Sequence, residues 1–233
     1  MLHTLRMFSR FRGTIRDVGR GPLGSFSRVL KALGLAMMLV LLTVVAEAAE
    51  PSARGRRVGI DTRFGDLVRA AGEQYYKKNY SRAAALYTEA LNMRPDRKNA
   101  VMLYNWRGNA HMEAQNHPAA VADFDAALRL QATEASALNH AAWLRATSPN
   151  PAVRNGRIAV QQATRACELT NWKDPDLVDT LAAAHAEAGD FDRAIEYQKQ
   201  AIRLAPLADR NAMHKRVGLF QNRTPYRLKS RGR

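Results

Sequence analysis

The chain has 233 residues, 46% of them hydrophobic, and a formal net charge of +15. The charge lies at the two ends, because residues 64–209 contain seventeen basic and seventeen acidic residues, whereas residues 210–233 contain eight basic residues and no acidic one. Basic ends without a recognised nucleic-acid-binding module argue against specific nucleic-acid recognition. The single cysteine, Cys167, excludes an intrachain disulfide.

The N-terminal region has the pattern of an export signal. Residues 1–31 contain seven basic residues and one acidic residue, and residues 32–46 follow without any charge. The small residues of Ala46-Glu47-Ala48 then occupy the two positions that a signal peptidase reads. We therefore expect residues 1–48 to be a secretory signal peptide. The alternative is an inner-membrane anchor formed by residues 32–46, although a membrane span needs about 20 apolar residues.

Residues 49–63 are small, basic and contain glycine and proline, so we predict a linker. After the linker, residues 103–130 predict two amphipathic helices joined by a short turn. Gly108 on the first helix and Ala120 on the second would let the two backbones approach closely, with Phe124 filling the seam. A similar pair precedes this one, since its small–aromatic–small pattern lies 37 residues earlier.

Two further helix pairs and a capping helix are predicted in the second half. Ala142 lies 34 residues after the glycine of the second pair, and prolines and a glycine in residues 149–156 lengthen the inner loop of the third pair. The fourth pair ends at Pro206. We expect residues 207–221 to form a capping helix, because repeat arrays need a polar terminal element. The basic residues 222–233 are predicted to be a disordered tail.

This order of small, large and turn positions resembles a tetratricopeptide repeat, a helix–turn–helix unit of about 34 residues. The resemblance is clearest in the fourth pair, where Gly189-Asp190-Phe191 and Pro206 stand at the turn and stop positions. It implies an all-α fold, in which residues 64–206 form a right-handed superhelical solenoid of about four repeats with a C-terminal capping helix. The second half and its Pro225-Tyr226-Arg227 ending also resemble a bacterial, planctomycete-like subtype of the family.

The sequence has no recognised catalytic, cofactor-binding or metal-binding pattern. The six histidines are scattered, and His140 has no Cys, Asp or Glu three or four residues away, whereas metal sites need clustered ligands. HExxH, CxxC and GxSxG motifs and a phosphate-binding glycine loop are all missing. We therefore predict that the protein is not an enzyme and uses no cofactor or metal ion.

The resemblance implies that the first helix of each unit lines an inner groove, which takes up a segment of a partner. The predicted partner-binding residues are Tyr76, Asn105, Trp106, Asn109, Asn139 and His140. Further groove positions are Trp143 and Thr147 in the third unit and Asp179 and Glu187 in the fourth. Asn105 and Asn139 are 34 residues apart, so their amides should stack and hydrogen-bond an extended backbone. Trp106 offers a broad apolar surface to a partner, and packing between units is the alternative for it.

These observations predict an exported, non-enzymatic scaffold of the periplasm or cell envelope that binds a protein or peptide segment in its groove. The alternative is an envelope-surface protein whose basic tail adheres to anionic lipid, nucleic acid or wall polymer. Each basic residue near an anionic membrane contributes about 1 kcal/mol, so several together suffice for adhesion. No motif identifies the partner or the oligomeric state.

Overall fold

The computed structural model describes residues 57–230, with side chains described from Thr62 onward. The predicted signal peptide or anchor (residues 1–48) lies outside these residues. The helices are α1 (Arg57–Tyr76), α2 (Tyr80–Asn92), α3 (Arg97–Glu113), α4 (His117–Leu130), α5 (Ala135–Thr147), α6 (Gly156–Leu169), α7 (Pro175–Glu187), α8 (Phe191–Leu204) and α9 (Leu207–Gln221). Residues 57–230 contain no strand, and the all-α prediction is confirmed.

The first eight helices form four hairpins, α1–α2, α3–α4, α5–α6 and α7–α8, and each hairpin packs on the next. The helix α9 packs on α8, and α5 also packs along α7. Fully buried alanines at these contacts, including Ala83, Ala120, Ala163 and Ala194, let the helix backbones lie close together. Each hairpin therefore buries on its neighbours the apolar face that it cannot bury alone, as in a solenoid.

Short polar contacts fix where the helices begin and end. The side chains of Asp96, Asn155 and Asp190 accept hydrogen bonds from the backbone N–H groups three residues later, at 2.8, 3.0 and 3.2 Å. Such N-caps contribute about 1 kcal/mol each. At the end of α4, where the repeat pattern lacks its proline, Nε of Arg97 donates to the carbonyl oxygen of Leu130 at 2.7 Å.

The turns repeat the same backbone geometry in three of the hairpins. Lys78, Gln115 and Gly189 each stand midway between the two helices of a hairpin, and each has a left-handed φ, of 62°, 63° and 86°. The third hairpin instead has the longer loop predicted from its prolines. In that loop, Nη1 of Arg154 donates to the carbonyl oxygen of Ser148 at 3.0 Å, which holds the loop in a compact turn.

The seam of the second hairpin is built as the sequence predicted. A Cβ atom placed on Gly108 would lie 2.7 Å from Cε1 of Phe124, so only glycine leaves room for this ring. Phe124 and Ala120 are both fully buried. Between the same two helices, Arg107 donates to Asp123 from Nε at 2.9 Å and from Nη2 at 2.6 Å, which ties α3 to α4.

Both ends of the described chain differ from the prediction. Helix α1 begins at Arg57, inside the segment predicted as a linker, because no proline interrupts residues 57–76. At the other end, residues 224–230, called here the tail segment, lie against the repeats instead of being disordered. The chain reverses after α9 through a hydrogen bond from the Thr224 N–H to the Leu219 carbonyl at 2.9 Å.

The physical reason for the docked tail segment is the composition of α5. Apolar residues occur on every side of this helix and most of its residues are buried, so other elements have to cover it almost all round. The side chain of Leu228 packs against two of the hydrophobic clusters, which include residues of α5. Among residues 57–230, no helix is both long enough and apolar enough to cross a membrane.

Candidate functional site: the inner groove

The inner groove is the surface formed by α1, α3, α5 and α7, the first helices of the four hairpins. Almost every residue of α5 and α7 is buried, whereas few residues of α3 are. The difference arises because the tail segment and Arg216 of α9 lie over the third and fourth units. The groove is thus filled at these two units and more open at the second.

Four of the predicted partner-binding residues, His140 and three asparagines, each have a buried side-chain atom that lacks a hydrogen-bond partner in the described part of the chain; in His140 this atom is Nε2. The Oδ1 atoms of Asn105, Asn109 and Asn139 are buried, and none has a hydrogen-bond partner within the described part of the chain. Asn105 and Asn109 lie one turn apart on α3, and Asn139 lies on α5. A buried acceptor that lacks its donor costs about 1–3 kcal/mol, so such atoms are rare unless something else supplies the donor.

His140 is not available to a partner in this arrangement. Its side chain is buried, its Nδ1 lies 3.4 Å from Oγ of Ser136, and its ring lies 5.2 Å from that of Phe124. Burial lowers the pKa of His140 to about 4, so the imidazole is neutral at pH 7. The structure places this predicted site residue in the contact between α4 and α5, because α5 has no exposed face there.

The two predicted aromatic residues lie at the N-terminal end of the groove. Trp106 is half-buried, and its ring centroid is 5.9 Å from that of Tyr87, so it packs between the first and second units. This is the alternative that the sequence left open for Trp106. Tyr76 is 40% exposed at the end of α1, where its ring meets the edge of Tyr75. Of the two aromatic side chains, Tyr76 is the more accessible to a partner.

Two consecutive side chains of the tail segment, Tyr226 and Arg227, contact different residues of the groove. The ring of Tyr226 lies 5.8 Å from that of Trp143 and 5.5 Å from the guanidinium carbon of Arg216. Arg227 forms an ion pair with Oε2 of Glu187. The groove positions implied in the third and fourth units are therefore brought together here, although they contact the chain's own tail segment.

The tail segment is held by hydrogen bonds to the carbonyl end of α5. The N–H of Leu228 donates to the Thr147 carbonyl oxygen at 2.8 Å. Nη1 of Arg227 donates to the Ala146 carbonyl oxygen at 3.2 Å. The last carbonyl groups of a helix have no partner within the helix, so they are natural acceptors for an extended segment.

A buried charge pair fixes the arginine above the tail segment. Arg216 donates to Asp179 from Nε at 2.9 Å and from Nη2 at 2.7 Å, and Nε2 of Gln198 donates to the same carboxylate at 2.5 Å. Burial raises the pKa of Asp179, and the charge of Arg216 opposes that rise. The guanidinium is thereby held in one orientation over both Trp143 and Tyr226.

Comparison with known proteins agrees with this architecture. The family model "Tetratricopeptide repeat" matches residues 179–206. The solved structure described as "Crystal structure of MamA protein" is similar to 69% of this chain and 91% of its own, with a TM-score of 0.51 and 17% sequence identity. The chain thus contains a tetratricopeptide repeat at residues 179–206, within an all-α repeat fold. At this identity the likeness to MamA shows the fold alone, and no curated protein matches the chain.

Sequence reasoning missed Arg216 and the tail segment. Two signals could have revealed them: apolar residues occur on every side of α5, and Tyr226 and Leu228 are apolar residues within the basic tail. Within residues 57–230, no three His, Cys, Asp or Glu side chains are grouped so that they could hold a metal ion. The planctomycete-like subtype stays a prediction.

Proposed function

We propose that this protein is a non-enzymatic scaffold that binds an extended segment of another protein along the inner groove. The observation that carries the proposal is the set of unpartnered acceptors, Oδ1 of Asn105, Asn109 and Asn139. Backbone N–H groups of an extended segment are suitable donors, and the stacking of equivalent positions in successive repeats suits the regular spacing of such donors.

We further propose that the scaffold is exported to the periplasm or cell envelope. The support for export is the sequence pattern of residues 1–48, with a basic region, an uncharged run and an A-x-A site. Adhesion of a free basic tail to an anionic surface is the weaker candidate. Arg227 is paired with Glu187, so part of the tail's charge is neutralised within the protein.

The test of groove binding uses a random peptide library displayed on phage and selected on the full chain. The affinities of the selected peptides are then measured by fluorescence anisotropy for the wild type and for Asn105→Leu/Asn109→Leu. We expect the variant to lose at least tenfold in affinity, because two acceptors disappear. Its free energy of unfolding should stay the same or rise, since leucine replaces two unpartnered amides with an apolar side chain of similar size.

The matched control is Gln161→Leu, which changes an exposed amide on α6, outside the inner groove. This variant should bind the selected peptides as the wild type does. The proposal fails if the selected peptides bind the Asn105→Leu/Asn109→Leu variant as tightly as the wild type while the variant remains folded by circular dichroism. It fails equally if the Gln161→Leu control loses the same affinity.

A further inference from the structure

The tail segment lies in sites that the repeats and α9 hold in place without it. Arg216 is fixed by its two hydrogen bonds to Asp179, and Glu187 is fixed by Nε of Arg154 at 3.1 Å. Neither Asp179 nor Arg154 belongs to the tail segment. These sites therefore keep their shape when the tail segment leaves, which is how a preorganised binding site behaves.

The three consecutive side chains of the tail segment have different environments. Tyr226 lies against an indole and under a guanidinium, Arg227 faces a carboxylate, and Leu228 packs against apolar side chains. One helix carbonyl group, that of Thr147, accepts a hydrogen bond from the backbone N–H of Leu228, and the next, that of Ala146, accepts one from the Arg227 guanidinium. Together, these contacts fit an extended chain that presents an aromatic, an arginine and an aliphatic side chain in that order.

The residues on both sides of this triplet are exposed, although Arg223 lies over the ring of Phe191 and the Thr224 N–H donates to the Leu219 carbonyl oxygen. Arg223 and Thr224 before it are exposed, as are Lys229 and Ser230 after it. A segment of no regular secondary structure, held at its centre by three residues, can leave its site without unfolding a helix. It is also tethered, so it competes with any incoming segment at the high effective concentration that a short connection gives.

We propose that the surface formed by Trp143, Thr147, Glu187 and Arg216 is a recognition site for extended aromatic–arginine–aliphatic segments, and that the chain's own tail segment occupies it as a tethered competitor. The partner is a protein that presents such a triplet in an unstructured region and displaces Tyr226, Arg227 and Leu228. This inference rests on the proposed function in that it names the chemistry of a segment the groove accepts.

The experiment measures binding of a fluorescein-labelled peptide with the sequence of residues 222–233 to the full chain by fluorescence anisotropy. Two proteins are compared, the wild type and Tyr226→Ala/Leu228→Ala, in which the tethered competitor is weakened. We expect the variant to bind the peptide at least tenfold more tightly than the wild type. Circular dichroism and thermal unfolding confirm that the variant keeps its helices.

Two controls separate recognition from simple charge attraction. A second peptide, with alanine at the positions of Tyr226 and Leu228, has the same net charge and should bind neither protein. Adding Glu187→Gln to the tail-weakened variant should reduce affinity for the first peptide about fivefold or more, since the arginine loses its ionic partner. Equal binding of both peptides, or equal affinity of wild type and folded variant, overturns the proposal.

The result also distinguishes this inference from the proposed function. If peptides selected from the library bind in a manner that depends on Asn105 while the tail peptide binds nothing, the recognition site proposed here is rejected and groove binding stands. If neither kind of peptide binds the folded chain, both are rejected. Two copies of the chain could also exchange their tail segments, which would appear as concentration-dependent dimers in light scattering. Dimers that form while no peptide binds would argue against a recognition site for other proteins.

Discussion

Arg216→Met removes the guanidinium that neutralises Asp179. The carboxylate is 1% exposed, so water cannot replace the two hydrogen bonds that it loses, and only the bond from Gln198 remains. Removing one partner of a buried ion pair costs about 3–5 kcal/mol. The cation–π contacts of Arg216 with Trp143 and Tyr226 add about 0.5–1 kcal/mol each. Since methionine recovers some packing, we expect a loss of about 4–5 kcal/mol in the free energy of unfolding, at the lower end of this sum.

The cost of this substitution should depend on pH with a definite sign. Burial already raises the pKa of Asp179, and without Arg216 that pKa rises further. An acid whose pKa is raised in the folded state destabilises the protein above that pKa, and the penalty disappears as pH falls and the acid is protonated in both states. The difference between Arg216→Met and the wild type should therefore be smaller at pH 5 than at pH 7.

Urea unfolding followed by far-ultraviolet circular dichroism measures both effects. Arg216→Met/Asp179→Asn should be about 1–2 kcal/mol more stable than Arg216→Met at pH 7, because the buried charge is gone and Gln198 keeps an acceptor. Lys215→Met removes an equal charge from an exposed neighbour and should change stability by less than about 0.5 kcal/mol. A cost below about 1 kcal/mol for Arg216→Met, or no gain in the double variant, would refute the reasoning.

Four further substitutions have expected effects on stability that can be measured by urea or thermal unfolding. The pKa of His140 is about 4 in the folded protein, below its value in the unfolded chain, so the protein loses stability as the pH falls. Between pH 7.5 and 5, the free energy of unfolding of His140→Gln should therefore fall by about 2 kcal/mol less than that of the wild type. Gly156→Ala should destabilise the protein by about 1–3 kcal/mol, because the new Cβ would lie 2.5 Å from the backbone nitrogen of Ala188. Outside its own stretch of helix, a Cβ at Gly218 would meet no atom within 4 Å, so Gly218→Ala should stabilise α9 by about 0.5–1 kcal/mol. Burial and nearby carboxylates raise the pKa of Asp176 to about 6, so the charged carboxylate destabilises the folded protein at pH 7. The stability gained by Asp176→Asn over the wild type should therefore be larger at pH 7 than at pH 4.5, by up to about 1 kcal/mol after allowance for partial exposure. For each substitution, a change of stability in the opposite direction would contradict the assigned contact or pKa.

Local sequence signals were enough to predict the hairpins. The 34-residue spacing of small residues, the turn at Gly189 and the stop at Pro206 are all properties of short stretches, and the structure has helices and turns at these places. Such signals depend on backbone preferences and on the packing of immediate neighbours. For this reason the repeat architecture could be predicted without any knowledge of contacts between distant residues.

The predicted site was harder, because exposure depends on what covers a helix. A helical position identifies the face on which His140 or Trp143 stands, but both are buried in α5 since other elements cover every face of that helix. Docking of the tail segment joins residues that are far apart in the sequence, and no periodic pattern predicts such a contact. Asn105 and Asn109 lie on α3, which is less covered by other elements, so these two residues stay half-buried whereas His140 is buried.

The contact of Arg227 with Ala146 joins residues 81 positions apart, whereas hairpin contacts join near neighbours. Local contacts form quickly and distant ones slowly, so the hairpins should assemble before the tail segment docks. A contact that is absent from the folding transition state influences mainly the rate of unfolding. Docking of Leu228 is therefore expected to lengthen the lifetime of the native state while leaving the speed of its formation almost unchanged.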